Sequence, residues 1–150
     1  MTDQLMLHSI TKCIEDKTTS FKIGIASASA VGKIPLIVGH RPQDSPPRCV
    51  LVSESGGGAT IPGLKDRIDK NIQILTRART YFISRDDAWE IFLAMHESCC
   101  PYATWAYQQS GEEYQVPIIL AISDPQYIGE DDKRRFEFST NFVWKIMNPA

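Results

Sequence analysis

The stretch that decides the fold runs from residue 116 to residue 146. It reads VPIILAIS at 116–123, DPQYIGEDDKRR at 124–135 and FEFSTNFVWKI at 136–146. The outer segments predict two long strands, because β-branched and aromatic residues dominate both. The middle segment predicts a loop that ends in three acids followed by three bases. A connection this long between two strands is usually functional.

The last of these strands has two different faces. Apolar side chains alternate along one side, which carries Phe136, Phe138, Thr140, Phe142, Trp144 and Ile146. The opposite side is mainly polar. This alternation predicts an antiparallel sheet that helices cover on one face. In the strand before the loop the alternating residues are Tyr114, Val116, Ile118, Leu120 and Ile122, and Pro117 predicts an edge position or a bulge there.

Periodicity predicts the remaining elements. An amphipathic helix is predicted over residues 3–16, and residues 26–47 and 55–63 are predicted to be irregular. Further strands are predicted over residues 21–25, 34–38, 48–54 and 71–79. The fold class is therefore α+β, a mainly antiparallel β-sheet packed on one face by two α-helices. Residues 1–150 are expected to form a single domain.

The second helix is predicted to open at Ser84. Ser84 and Asp87 resemble a capping box, and acidic residues suit the positive end of the helix dipole. Pro101 is expected to end this helix. Its apolar stripe is predicted to consist of Ala88, Ile91, Phe92, Met95 and Cys99.

Composition excludes several classes of protein. The 150 residues are 43% apolar and 23% charged, as in an ordinary globular protein. The net charge of −2 gives no basic field of the kind that binds DNA phosphates. No apolar run approaches the length of a membrane helix, and the first residues lack the features of a signal peptide. No membrane association is expected.

The four cysteines, Cys13, Cys49, Cys99 and Cys100, match no disulfide framework and no CxxC pair. Their spacing favours a reducing compartment. His96, Cys99 and Cys100 lie within one helical turn and would suit a soft metal. Because no second pair of ligands lies nearby in the sequence, we expect Cys99 to pack in the core with His96 at its border. No metal and no cofactor are predicted.

Catalytic motifs are weak. Gly56, Gly57 and Gly58 are followed by Ala-Thr-Ile-Pro, whereas a phosphate-binding Walker loop requires Gly-Lys-Ser/Thr. The chain has serines and three histidines but no nucleophile elbow. The enzymatic alternative is a small Mg²⁺-dependent nuclease that uses Asp124, Asp131 and Lys133. In such nucleases the D-x-K triplet ends a strand, whereas here it precedes one, so no catalytic residue is predicted.

Three segments together resemble a known family. Asp124 to Phe136, continuing to Phe138 and Asn141-Phe142, resembles the near-terminal signature of bacteriophage tail terminator proteins and related minor capsid or tail-completion proteins. Val50 to Gly57 resembles their strand that ends in an acidic-Gly-Gly turn. Ile72 to Ala78, followed by Tyr81 and the helix of Ala88, resembles their strand-to-helix passage. The resemblance extends from about residue 48 to residue 147. The chain departs from the family's pattern at residues 26–47 and 101–113.

The resemblance implies a structural protein that is not an enzyme. Tail terminators form a hexameric ring at the head-proximal end of the tail tube, stop tube polymerisation and provide the docking surface for the head connector. The implied partners are further copies of the chain, the tail tube protein and a head–tail connector or completion protein. DNA would pass through the lumen without specific binding. The implied location is the head–tail junction of the virion, reached from the host cytoplasm, and a head-completion or neck protein is the nearest alternative.

Charged and glycine-rich segments are the predicted contact sites of such a ring. The acids and bases of the 124–135 segment would pair with complementary charges on a neighbouring subunit. Basic residues at the end of the strand before the second helix would supply further basic partners for the neighbouring subunit. The glycine loop would lie against a tube or connector subunit. The predicted interface residues are Arg77, Arg79, Asp131, Asp132, Lys133, Arg134, Arg135, Gly56, Gly57 and Gly58.

Overall fold

A computed structural model of the chain describes residues 2–55, 67–98 and 115–147. These residues form α1 (Thr2–Lys17), β1 (Phe21–Ile23), α2 (Ile25–Ala30), β2 (Ile34–Val38), β3 (Cys49–Glu54), β4 (Arg67–Ala78), α3 (Tyr81–Met95), β5 (Gln115–Ala121), β6 (Gln126–Glu130) and β7 (Phe136–Met147). The predicted α+β class is confirmed. No helix within the described ranges is long and apolar enough to cross a membrane.

The strands form one mixed sheet in the order β1-β2-β3-β4-β7-β5. β6 pairs with the first half of β7, and β5 pairs with its second half, so both lie along the same side of β7. The part of the sheet from β3 onward is antiparallel, as predicted. β1, β2 and β3 are parallel to one another, and the short helix α2 connects β1 to β2. This helix lies in the stretch that the sequence predicts to be irregular.

The hydrophobic core lies on one face of the sheet, beneath α1 and α3. The alternating residues of β7 contribute Phe142 and Trp144 to it, which confirms the predicted apolar side of that strand. Other members of this cluster are Ile10 and Ile14 of α1, Leu36 of β2, Val50 and Val52 of β3, Ile72 and Ile74 of β4, Ile91 and Met95 of α3, and Ile119 of β5. The opposite face of the sheet carries the polar residues that form the candidate site.

Two sequence predictions are wrong in the C-terminal part of the chain. The predicted loop at 124–135 contains a strand, β6, whose side chains are mostly exposed and therefore show no two-sided alternation. In β5 the buried residue is Ile119, whereas Ile122 is exposed, so the predicted apolar face has the wrong phase. The register shifts between Gln115 and Ile118, which explains the change of phase. The expectation of an edge position or a bulge near Pro117 is confirmed.

The start of α3 is also corrected. Thr80 is the N-cap, and its side chain accepts a hydrogen bond from the backbone N–H of Ile83. Ser84 lies one turn inside the helix, is buried and donates from its hydroxyl to the carbonyl of Thr76. Asp87 is buried as well and binds the guanidinium of Arg48 through both oxygens, at 2.7 and 2.9 Å. The predicted capping box is therefore wrong.

The cysteines differ from expectation at one position. Cys49 is free and buried, as expected of a reduced cysteine. Cys13 is disulfide-bonded, so the expectation drawn from spacing is wrong for this residue. The predicted end of the second helix is also wrong, because α3 ends at Met95 with His96 as its C-cap, well before Pro101. The predictions about Gly56, Gly57, Gly58, Cys99 and Cys100 concern residues outside the described ranges.

Candidate functional site

Two neighbouring strands place opposite charges side by side on the face of the sheet opposite the core. Arg77 of β4 is directly paired with Glu137 of β7. Both side chains point away from the core because alternate residues of a strand face opposite sides, and Thr76 and Phe138 occupy the core side. Arg41, from the segment that follows β2, forms an ion pair with Glu137 at 3.3 Å.

Arg77 fixes the segment that covers this end of the sheet. The residue is only 4% exposed. Its guanidinium donates to the carbonyls of Pro46 at 2.6 Å and Pro47 at 3.2 Å, and to the hydroxyl of Ser45 at 2.9 Å. Burial lowers the pKa of Arg77 from its ordinary value, and the neighbouring positive charges of Arg41 and Arg135 act in the same direction. The arginine therefore supports the protein's own structure at this position.

Asp131 organises the turn between β6 and β7. One carboxylate oxygen accepts hydrogen bonds from the backbone N–H groups of Lys133 and Arg135, at 3.0 and 2.9 Å. The other accepts from Nε of Arg135 at 2.6 Å. Burial alone would raise the pKa of Asp131, but these hydrogen bonds outweigh it and hold the pKa below its ordinary value. Arg134 adopts the left-handed conformation, with φ of 58°, as the turn requires.

An open cleft of about 730 Å³ lies between the 131–135 turn and the 41–44 segment. We call it the charged cleft, and its ionisable lining residues are Arg41, Asp44, Arg77, Asp131, Asp132, Lys133, Arg135 and Glu137. Four are basic and four are acidic. A polyanion such as DNA gains little from such a balanced lining, whereas a protein surface with charges of both signs can be complementary to it.

A second cleft adjoins the first and is more basic. Its volume is about 620 Å³, and its ionisable lining residues are Asp44, Arg79, Lys133, Arg134 and Arg135. Lys133 and Arg135 line both clefts. The 131–135 turn is therefore a ridge with a charged depression on each side.

The predicted interface residues that the structure describes divide into two groups. Arg77, Asp131 and Arg135 come together inside the fold, and Nη1 of Arg77 lies 3.8 Å from Asp131. The exposed residues are Arg79, Asp132, Lys133 and Arg134. Sequence reasoning missed Arg41 and Glu137. Glu137 stands on the polar side of the predicted last strand, but only the register of β4 and β7 shows that it meets Arg77.

The two carboxylates of the nuclease alternative are engaged within the chain, whereas Lys133 is exposed. Both oxygens of Asp131 accept hydrogen bonds from its own turn, so a metal ion would have to displace Arg135. Asp124 accepts a hydrogen bond from Gln126. Nδ1 of His96, from the metal cluster considered above, accepts from the backbone N–H of Ala121 at 3.0 Å. Within the described ranges, no three His, Cys, Asp or Glu residues are grouped so that they could hold a metal ion.

Comparison with known protein families identifies a matching family. A family model described as "Bacteriophage tail terminator protein" matches residues 22–148. The matched range begins within β1 and ends just after β7, so it includes the charged cleft and the strands that position it. No curated protein matches the chain.

Proposed function

The chain belongs to the bacteriophage tail terminator family, and on this basis we propose that it caps the head-proximal end of the tail tube. In this proposal identical copies assemble as a hexameric ring that stops tube polymerisation and provides the docking surface for the head connector. The observation that carries the proposal is the family match over residues 22–148. The ring would act at the head–tail junction, and its subunits would assemble in the host cytoplasm.

The charged cleft supports a role in protein contacts. A ring of identical subunits requires two different surfaces that fit each other on each copy. The 131–135 ridge presents Asp132, Lys133 and Arg134 to the solvent, and the hydrogen bonds of Asp131 hold its backbone in one conformation. A preorganised ridge loses little conformational entropy on binding. We therefore assign the ridge to the contact between neighbouring subunits.

The overall charge is compatible with passage of DNA. The net charge is −2, and equal numbers of acids and bases line the charged cleft. A lumen without a strong positive field would let DNA move through without holding its phosphates. DNA is thus expected to pass the ring without specific binding.

Light scattering after size-exclusion chromatography tests this proposal. The purified chain is measured alone and together with tail tube protein from the phage that encodes it. We expect rings, either in solution or on the ends of tubes. A chain that stays strictly monomeric and never binds tube ends would contradict the proposal.

A charge-reversal variant tests the role assigned to the ridge. Lys133→Glu with Arg134→Glu should weaken ring formation by at least about tenfold, because like charges would meet at the subunit contact. Lys17→Glu with Lys33→Glu is the matched control, since these exposed lysines lie elsewhere and the change in net charge is the same. If both double variants assemble equally well, the ridge is not the subunit contact.

A further inference from the structure

A second surface, distinct from the charged cleft, exposes apolar side chains. We call it the aromatic patch, and it consists of Tyr81, Phe82 and Ile83 at the start of α3 together with Tyr127 and Ile128 of β6. The ring of Tyr81 lies 5.3 Å from that of Tyr127 and 5.4 Å from that of Phe82. Phe82 is 71% exposed and Ile128 is 52% exposed. Tyr81 thus contacts the rings of both Phe82 and Tyr127, and exposed apolar residues that lie together in this way mark interaction sites.

The first edge of the sheet is closed to a partner strand. β1 has only three residues, and the backbone N–H of Ile23 donates to the carboxylate of Glu15 at 2.8 Å. The same carboxylate is held by Lys12 of α1. A short edge whose donor is already used does not accept another strand.

The β5 part of the other edge is closed as well. The segment after α3 lies against β5, where Ile119 donates to the carbonyl of Ser98 at 2.9 Å and accepts from Glu97 at 2.7 Å. The next outward N–H, that of Ala121, donates to His96. The chain therefore satisfies these backbone groups itself.

Among the residues that the structure describes, none pairs with the outer side of β6. Within the described ranges, its backbone pairs with β7 and with no other segment. Its residues are exposed except for Gly129, which is half-buried. The register shifts between Tyr127 and Gly129, so Ile128 stands at a bulge. An unpaired edge beside an apolar patch is suited to an added strand, whose backbone would pair with β6 while its side chains cover the patch.

We propose that an extended segment of a different protein binds here, adding a strand to β6 and covering the aromatic patch. Its side chains should be apolar at alternate positions, because alternate residues of an added strand face the same side. Asp124, two residues before β6, and Glu130, its last residue, are exposed and acidic. The segment should therefore carry lysine or arginine at its ends.

A second copy of the chain fits this site poorly. A two-fold pairing of β6 with β6, centred on Ile128, would place Asp124 of one copy opposite Asp132 of the other, just beyond each end of the paired strands. Like charges directly opposite each other destabilise a sheet. A head-to-tail pairing would need the β1 edge of the neighbour, which Glu15 closes. Because both ways of pairing two copies are unfavourable, we assign the site to a different protein. This assignment does not depend on the ring proposed above.

Amide hydrogen exchange of the full chain tests the inference. The probe is a synthetic peptide of about seven residues, alternating valine and threonine with lysine at both ends. We expect the peptide to slow exchange of the outward-facing β6 amides. Phe82→Ser with Ile128→Ser should weaken its binding by at least about tenfold, because two apolar side chains are removed from the contact.

Leu93→Ser is the matched control. Leu93 is 72% exposed on the same helix, and it lies eleven residues, or about 16 Å, from Phe82 along α3. The control should bind the peptide as the unchanged chain does, and a peptide with a central proline should not bind. The inference is overturned if β6 gains no protection, if Leu93→Ser weakens binding equally, or if β6 is already protected by a two-fold dimer without the peptide.

Discussion

At the scale of single residues, Arg77 lies in an environment that the sequence does not predict. In the sequence it reads as a basic residue that leaves a strand and is free to meet a neighbour. In the structure it is buried and spans from the sheet to the carbonyls of Pro46 and Pro47. Nothing in the local sequence marks this difference, because the acceptors are backbone groups about thirty positions upstream.

Arg77→Met should lower the free energy of unfolding by about 1–3 kcal/mol, since it leaves buried carbonyls without donors. Arg77→Lys should restore only part of the loss, because an ammonium group lacks the fork of a guanidinium. Arg79→Met, at an exposed position, should change stability by less than about 0.5 kcal/mol. Urea unfolding gives the free energy of unfolding of all three variants. Equal stability of the Arg77→Met and Arg79→Met variants would contradict the assigned role.

Asp131 makes stability depend on pH in the acid range. Its pKa in the folded chain lies below the ordinary value of 3.8, so the unfolded chain binds the proton more readily. The contribution of this carboxylate is therefore fully present above about pH 5 and is lost as the pH falls through the folded pKa. Asp131→Asn should remove that part of the pH dependence, whereas Asp132→Asn should keep it. Urea titrations between about pH 2 and pH 6 measure the free energy of unfolding of each variant. Identical pH profiles for the two variants would contradict the role assigned to Asp131.

At the scale of elements, the predicted strands and helices succeed where one face is buried. β7 alternates because Phe138, Phe142 and Trp144 point into the core. α1 is found for the same reason, through Ile10 and Ile14. β6 was missed because its side chains are mostly exposed, so burial imposes no pattern on them. The phase of β5 was missed because a register shift, visible only in the pairing with β7, moves Ile119 to the core side.

The start of α3 gives a prediction about two adjacent acids. Asp87 is buried and holds Arg48, and its hydrogen bond raises the pKa of that arginine, whereas Asp86 is exposed. Asp87→Ala should cost about 1–3 kcal/mol of unfolding free energy, because it removes a charged hydrogen-bonded pair. Asp86→Ala should stay within about 0.5 kcal/mol. Thermal and urea unfolding distinguish the two, and an Asp86→Ala variant that is as unstable as Asp87→Ala would contradict the role assigned to the Asp87–Arg48 pair.

At the scale of the whole molecule, the α+β class follows from the sequence, whereas the parallel part of the sheet does not. β1 and β2 lie within the strands predicted over residues 21–25 and 34–38. The crossover helix α2 between them has only six residues, too few to leave a strong periodic signal, so their parallel pairing could not be predicted. The charged cleft depends on this topology. It lies between the segment after β2 and the turn before β7, which are about ninety residues apart in the chain.

The family match identifies a structural protein of the phage tail, and the central proposal is that it terminates the tube. Electron microscopy of particles assembled without this chain tests the proposal most directly. We predict tubes of uncontrolled length that are not joined to heads, and restoration of normal particles when the chain is supplied. Tails of normal length, joined to heads in the absence of the chain, would contradict the account.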